Sequence, residues 1–333
     1  MSLLTEKKNN PKPLLSVEDL NTFFFTKRGV VKAVNNVSFT LKAGETLGVL
    51  GESGSGKSVM ALSILKLVPG PAGKIVGGKI LLDGLDLLEL SESQMREYRG
   101  KIISMILQDP LTSLNPVFTI GEQVAESLRM HRFGQGSIKE QIFALLKRVG
   151  ISHPETRMDA YPHQFSGGMR QRVVGAIAVA SSPKLLIADE PTTSLDVTIQ
   201  AQYLRLLKDL QRQSNLGILF ITHDLGVAAK VCDRVAVMYC GQILEEANVD
   251  DLFDNPAHPY TRGLINSLPQ LNTRVEQLTS IPGQPPTPAD LPQGCPFEPR
   301  CLDAKSICRS KIPPEVKLSK THRVSCWLHN END

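Results

Sequence analysis

The sequence has 333 residues, more than most single domains, which predicts one large domain with an appended segment. Hydrophobic residues make up 41% and charged residues 21%, the proportions of an ordinary globular protein. The net charge of +3 is too small to indicate nucleic-acid binding. No apolar run reaches the roughly 18–20 residues of a membrane helix, and no apolar block follows the early lysines as in a signal peptide. We therefore expect a cytoplasmic protein that reaches a membrane only through partners.

The first fifty residues predict β structure followed by a turn. Leu15–Glu18 and Ala33–Leu41 alternate apolar and polar residues, and Thr46–Leu50 is short and mostly apolar, as in a strand buried on both faces. Glycines and a helical segment over Ser58–Leu67 come next. Strand, glycine loop and helix is the order that phosphate binding requires.

The rest of the chain divides into three parts. Residues about 90–165 predict a helical subdomain, with helices over 91–99, 120–132 and 137–149, inserted between two halves of a sheet domain. From Ser166 onwards, helices at about 166–180 and 197–213 alternate with strands at 185–188, 217–221, 234–239 and 242–245, which favours a largely parallel sheet. Beyond about residue 255, frequent prolines predict an extended tail with short helices rather than continuous sheet. The predicted boundaries are a flexible N-terminus over 1–13, a nucleotide-binding domain over 14–255 and a C-terminal extension over 256–333.

Residues 51–58 match the complete G-x-x-x-x-G-K-[ST] pattern. Its glycines allow a tight turn that points successive backbone N–H groups at phosphate oxygens, and the following helix adds its positive end. Lys57 is expected to bridge the β- and γ-phosphates, and the Ser58 hydroxyl to ligate Mg²⁺. The predicted ATP-binding residues here are Gly51, Ser53, Gly54, Ser55, Gly56, Lys57, Ser58 and Val59.

Two carboxylate side chains stand at the end of the predicted strand that begins at Leu185. Asp189 and Glu190 follow its apolar residues directly. Alone, such a strand is common and carries no function. In a chain with a phosphate loop, Asp189 is expected to hold magnesium and Glu190 to activate the attacking water.

The segment Ser166-Gly167-Gly168-Met169-Arg170-Gln171-Arg172 resembles the signature motif of ABC ATPases. A Ser before a helix with two following glycines also makes an anion site on physical grounds. The resemblance implies that Gln108 contacts the γ-phosphate and magnesium, that Ser194-Leu195-Asp196 crosses to a second subunit, and that His223 steadies the γ-phosphate and water. A single histidine after a strand is more often structural than catalytic. His223, however, lies at the end of the strand that follows the Asp189-Glu190 strand, and this position favours a catalytic role.

Two details of the resemblance matter. In this family an aromatic residue of the first β segment usually stacks on adenine. Phe23, Phe24 and Phe25 are candidates, of which Phe24 and Phe25 are favoured, and the sequence does not choose between these two. Phe165 and Met169 replace the commonest Leu and Gln at the outer signature positions, so the contribution of that Gln side chain is lost or replaced.

The C-terminal part of the chain resembles that of ATPase subunits from bacterial oligopeptide and dipeptide importers, in Asn255–Leu264, Ile281–Pro286 and Gly294–Cys301. This resemblance implies a P-loop α/β ABC ATPase with an antiparallel β subdomain, bound at the cytoplasmic face of the membrane. Implied partners are a second ATPase subunit (identical or homologous), two transmembrane permeases and, indirectly, an extracytoplasmic peptide-binding protein. Dipeptide, oligopeptide and nickel substrates stay open. A soluble ABC protein acting on nucleic acid or ribosomes is the alternative, disfavoured by the single cassette and small charge.

Six cysteines are present, of which Cys232 and Cys240 are interpreted as core thiols. The other four have the spacing C-x5-C-x6-C-x17-C, which matches neither the usual zinc pairs nor the ferredoxin patterns and leaves zinc and iron–sulfur open. The importer resemblance implies a structural [4Fe–4S] cluster on these four residues, with zinc or four free thiols as alternatives. The residues concerned are Cys295, Cys301, Cys308 and Cys326.

Overall fold

The computed structural model describes residues 12–108, 113–131, 136–193, 195–268 and 280–330. In these ranges the strands are β1 Leu15–Thr26, β2 Gly29–Leu41, β3 Thr46–Leu50, β4 Gly73–Leu82, β5 Leu85–Asp86, β6 Ile103–Ile106, β7 Leu185–Asp189, β8 Gly217–Ile221, β9 Arg234–Tyr239, β10 Gln242–Asn248, β11 Glu315–Lys317 and β12 Arg323–Ser325. The helices are α1 Lys57–Ile64, α2 Glu92–Tyr98, α3 Ile120–His131, α4 Ile138–Arg148, α5 Pro154–Arg157, α6 Gly167–Val179, α7 Val197–Ser214, α8 Leu225–Val231, α9 Val249–Asp254, α10 Pro259–Asn266 and α11 Ile307–Ser310.

The main sheet has the strand order β11-β12-β10-β9-β3-β8-β7-β6. The strands from β9 to β6 are parallel, whereas β10, β12 and β11 continue the sheet with antiparallel pairing. The carboxyl ends of β3, β6, β7 and β8 therefore meet at one edge. In open α/β sheets ligands bind at this edge, so the residues that follow these strands are the ones to inspect for function.

Both faces of this sheet are covered, which explains why its central strands are apolar throughout. Leu185 and Ile187 of β7 pack into a cluster shared with α1 and with strands β1, β2 and β4. Leu186 and Ala188 point the other way, into a cluster built from the helices. Because successive strand residues face opposite sides, a strand buried on both faces shows no polar alternation.

The second sheet is antiparallel, with the order β2-β1-β4-β5. It confirms the predicted combination of a P-loop α/β core with an antiparallel β subdomain. The sequence interpretation did not include β4, whose Gly77-Gly78 pair interrupts a simple alternation. Gly78 has φ +99° and runs so close to β1 that a Cβ would lie 2.6 Å from the carbonyl oxygen of Asp19.

The range predicted as a helical insertion contains α2 to α5, and also one strand of the main sheet. Helix α4 begins where predicted, with a capping box formed by Ser137 and Glu140. Ile103–Ile106, however, pairs in parallel with β7 as the edge strand β6. Its four residues are too few to show a period in the sequence. Among the described residues, no helix combines the length and the apolar character needed to cross a bilayer.

The C-terminal extension adds two short strands to the main sheet, which the predicted extended tail with short helices did not include. Strand β12 pairs with β10, and β11 pairs with β12. A buried pair anchors this addition, because His322 Nε2 lies 2.7 Å from Glu245 Oε1, and Glu245 also accepts the backbone N–H groups of Ala257 and His258. These two strands were not predicted because each has three residues, with little apolar alternation, and both come after the proline-rich part.

Candidate nucleotide site

The phosphate-binding loop joins β3 to α1. Gly56 precedes the helix with φ +104°, and a Cβ there would lie 2.1 Å from the carbonyl oxygen of Ala33, so only glycine fits. The Lys57 ammonium donates to the carbonyl oxygens of Gly51 at 2.8 Å and Glu52 at 2.9 Å. Burial lowers the pKa of Lys57, and the carboxylates of Glu190 and Asp189 oppose that effect. A buried ammonium in a glycine-rich loop at the start of a helix is suited to binding an anion such as phosphate.

A buried carboxylate, Asp189, lies beside the loop. Asp189 lies at the end of β7, where burial raises its pKa and the neighbouring Ser58 hydroxyl opposes that effect. Asp189 Oδ1 is buried, and no described residue gives it a hydrogen-bond partner. A buried carboxylate oxygen without a donor fits Mg²⁺, which prefers hard oxygen ligands such as this carboxylate and the Ser58 hydroxyl.

Glu190 is held at the carboxyl edge by three side chains. Gln108 Nε2 donates to its Oε2 at 3.1 Å, Thr193 Oγ1 donates to the same oxygen at 3.0 Å, and His223 Nδ1 lies 3.1 Å from its Oε1. Burial raises the pKa of Glu190, but the contacts from His223 and Thr193 outweigh it, so the pKa lies below its usual value. Glu190 also has φ +46°, a rare conformation for this residue type. A constrained, ionised carboxylate of this kind is suited to orienting water.

Two cavities border the loop. One of about 500 Å³ is lined by Glu52, Gln108, Glu190 and His223, and places the loop and the catalytic candidates on one surface. The other, of about 330 Å³, has Phe24, Val31 to Ala33 and Pro288 around residues 53–59. A larger groove of about 930 Å³ lies away from these residues, and its central charged groups, Arg234, Glu246 and Arg323, pair with one another.

The two adenine candidates differ in position. Phe24 lines the 330 Å³ cavity beside the loop. Phe25 does not line it, is 48% exposed, and has the Lys74 ammonium 5.9 Å from its ring centroid. The geometry therefore favours Phe24 as the stacking residue.

The signature residues lie outside both cavities. Ser166 caps α6, where its Oγ accepts the Met169 N–H at 3.4 Å, and Ser166 and Gly167 are exposed. A Cβ at Gly167 would meet no described atom within 4 Å. The structure thus does not bring Ser166–Gly168 to the loop of the same chain, and their donors face outward.

The predicted crossing loop is described only in part. Asp196 is exposed and caps α7, because its Oδ1 accepts the N–H groups of Thr198 at 3.1 Å and Ile199 at 3.0 Å. Ser194 lies outside the described residues, as do Asp109 and Pro110 after Gln108. In this chain Asp196 therefore has a local helix-capping role.

The four C-terminal cysteines line one cavity of about 10 Å³, together with His258 and Trp327. None of them is in a disulfide, and burial raises the pKa of Cys295 to about 12. Within the described ranges, no group of three or more His, Cys, Asp or Glu side chains is arranged so that it could hold a metal ion. The thiols are gathered, but not as a metal site.

Sequence interpretation missed several side chains at the site. Thr193 and Pro288 carry no motif, and the ion pair between Glu52 and Arg300 joins residues 248 positions apart. The one signal in the sequence was the acidic residue Glu52 at the second position of the loop, which suggests a cation near its carboxylate.

A phosphate loop after β3, two carboxylates at the end of β7 and a signature segment exposed at the start of α6 define an ATP-binding cassette. Residues 34–193 match the family model "ABC transporter", and residues 244–308 match "Oligopeptide/dipeptide transporter, C-terminal region". The solved dimeric structure of a bacterial ABC transporter cassette superposes with a TM-score of 0.63 at 26% identity, covering 71% of this chain and 98% of that one.

Curated relatives match over nearly the whole length. A probable peptide ABC transporter ATP-binding protein of Sinorhizobium fredii is 51% identical over 97% of this chain and 98% of its own length. The oligopeptide transport ATP-binding protein OppD of Bacillus subtilis is 53% identical over 95% of this chain and 88% of its own length. The chain belongs to the ABC transporter family, among the ATP-binding subunits of peptide transporters, and it is an ABC-type ATPase.

Proposed function

We propose that this chain hydrolyses ATP to power the import of di- or oligopeptides through membrane permeases. Relatives named for oligopeptide, dipeptide and peptide transport match at about half identity along almost all of the chain. The observation that carries the proposal is the match of residues 244–308 to the C-terminal region of oligopeptide and dipeptide transporters. ABC ATPases share the cassette, so this attached region is what narrows the role.

The residues around the loop divide the chemical work. Lys57 and the backbone N–H groups of residues 51–58 bind the β- and γ-phosphates, and Phe24 stacks on adenine. Mg²⁺, when bound, neutralises developing charge on the phosphates, and Ser58, Asp189 and Gln108 would hold it. Glu190 accepts a proton from the attacking water, and His223 keeps the Glu190 carboxylate oriented.

The working site is composite. Ser166–Gly168 point away from the loop of their own chain, and their helix N-terminus is suited to a γ-phosphate bound by a second subunit. ATP would join the two subunits, and hydrolysis would release them. Asp196 would join this interface across the pair. The second subunit is a copy of this chain or a homologue.

The domain roles follow the same division. Residues 14–255 form the nucleotide-binding domain, and 256–333 form the extension. The helices within about 90–165 would transmit closure of the pair to two permeases, so the chain would work at the cytoplasmic face of the membrane. A peptide-binding protein on the other side would select the substrate.

Uptake of labelled peptides tests this function. Cells lacking the gene should lose uptake of labelled di- or oligopeptides and recover it with the wild-type gene but not with Lys57→Met. The Asp209→Asn gene provides a control, because Asp209 is an exposed carboxylate outside the nucleotide site and outside the helices of residues 90–165. Normal peptide uptake in the deletion strain, together with loss of another solute, would refute the substrate class.

We also propose that Cys295, Cys301, Cys308 and Cys326 bind a [4Fe–4S] cluster of structural role, with zinc as the alternative. Four free thiols around one cavity are the donor set such a cluster uses. The cavity has room for about one water, so the segment must open to hold a cluster. Anaerobic purification should give brown protein with iron and sulfide that Cys308→Ser lacks. Colourless protein with stoichiometric zinc would refute the cluster.

A further inference from the structure

The C-terminal extension holds the phosphate-binding loop through one arginine. Arg300 directly precedes Cys301, and its two terminal nitrogens donate to the Glu52 carboxylate, Nη1 to Oε2 at 2.8 Å and Nη2 to Oε1 at 3.0 Å. Its Nε donates to the carbonyl oxygen of Pro282 at 2.9 Å. Arg300 and Glu52 thus form a bidentate ion pair, the strongest geometry available to an arginine and a carboxylate. The hydrogen bond from Nε also fixes the orientation of the guanidinium.

Ion pairs on the protein surface contribute little to stability, so it matters that Arg300 is buried. Arg300 is only 7% exposed, and its guanidinium carbon lies 5.8 Å from the ring centroid of Tyr239 and 6.0 Å from that of Phe297. A buried guanidinium between aromatic rings is screened much less than an exposed one. Removing one partner of such a pair leaves the other charge without compensation.

The extension also holds the backbone of the same loop residue. The Glu52 N–H donates to the Tyr260 hydroxyl at 3.0 Å. Tyr260 is fully buried and packs against Tyr239 and Phe297, with ring centroids 4.6 Å and 5.3 Å away. The side chain and the backbone of Glu52 are thus both fixed by residues beyond position 255.

Glu52 is the position at which such support affects nucleotide binding. Its carbonyl oxygen accepts from Lys57, the residue expected to reach the phosphates. Its carboxylate lies in the loop that receives a polyanion, and without a cation beside it that charge would repel the phosphates. Arg300 therefore performs two tasks: it cancels the Glu52 charge and holds the first turn of the loop.

We propose that Arg300, supported by Tyr260, is a positioning residue for the phosphate-binding loop, so that nucleotide affinity depends on the fold of the four-cysteine segment. The inference rests on ATP binding by residues 51–58, as proposed above. It does not depend on what the cysteines bind.

The test measures the dissociation constant for Mg-ATP, the kcat and KM of hydrolysis, and the melting temperature. Arg300→Gln should weaken ATP binding about tenfold, because it leaves the Glu52 carboxylate facing the phosphates. Glu52→Gln should weaken it only about threefold, since the neutral amide does not repel phosphate. In the hydrolysis assay, weaker binding should raise the KM for ATP, with a smaller change in kcat.

The double variant Glu52→Gln/Arg300→Gln separates positioning from general damage. It should bind ATP better than Arg300→Gln alone, because the Glu52 carboxylate that repels the phosphates is gone. If the single variants acted only by disturbing the fold, the second substitution would instead lower ATP affinity further. Arg309→Gln is the matched control: Arg309 lies on the same segment and pairs with Glu298 at 2.8 Å, but is exposed. It should change affinity less than about twofold.

The outcomes are distinguishable. An unchanged ATP affinity in Arg300→Gln, or a double variant as weak as the product of the two single effects, would overturn the inference. If residues 51–58 did not bind ATP, a different result would show it: Lys57→Met would bind ATP as tightly as the wild type.

Discussion

Replacing Glu190 by Gln tests the catalytic assignment most sharply, because the substitution keeps the shape of the side chain and removes its basicity. The carboxylate is only 13% exposed and is fixed by Gln108, Thr193 and His223 at 3.0–3.1 Å. An amide can keep an acceptor for Gln108 or Thr193, so the local structure should persist. Loss of a general base reduces a rate about 10²- to 10⁴-fold, equivalent to about 3–5 kcal/mol of activation free energy.

The expected phenotype is slow hydrolysis with retained binding. Phosphate release should fall by at least about 100-fold, while ATP affinity stays equal or rises because a negative charge near the γ-phosphate is removed. ATP should then hold the chain as a closed pair, seen as a larger species by size-exclusion chromatography. Glu155→Gln, which changes an exposed carboxylate outside the nucleotide site, is the control and should behave as wild type in these two assays. A Glu190→Gln protein with more than a tenth of the wild-type rate would refute the assignment of the base.

Two further predictions concern the nucleotide and its metal. Phe24→Ala should raise the KM for ATP about tenfold and Phe25→Ala less than twofold, measured by steady-state hydrolysis; equal effects would refute the choice of Phe24. Asp189→Asn should require at least about tenfold more Mg²⁺ for half-maximal rate, and chelation should stop wild-type hydrolysis, whereas the exposed Asp209→Asn should titrate normally. An unchanged magnesium requirement in Asp189→Asn would exclude it as a ligand.

The sequence predicted the central part of the fold because its signals are local. A strand such as Thr46–Leu50, followed by glycines and a helix, lies within one stretch of chain, and its phosphate chemistry follows from adjacent residues. Strand β6 and strands β11 and β12 escaped prediction, since each has only three or four residues and is defined by its neighbours in the sheet.

The candidate site shows the same limit. Asp189 and Glu190 were apparent from their place after an apolar strand, but the choice between Phe24 and Phe25 required knowing which side of β1 faces the loop. The contact of Arg300 with Glu52 links positions 248 apart. No periodicity or motif encodes such a pair, because tertiary packing alone brings the two side chains together.

A mixing experiment tests the central claim, that the loop of one chain works with the signature of another. Lys57→Met disables the loop, and Gly167→Asp places a negative charge in the signature at a position where a side chain meets no described atom. Each variant alone should be inactive, under conditions in which the wild-type chain hydrolyses ATP by itself.

Mixed pairs contain one site with an intact loop and an intact signature. If both sites act independently, mixing equal amounts should restore about one quarter of the wild-type rate, because half of the pairs are mixed and each has one working site. Restored hydrolysis is the result that a composite site predicts. No recovery in a mixture whose subunits are shown to exchange would contradict it.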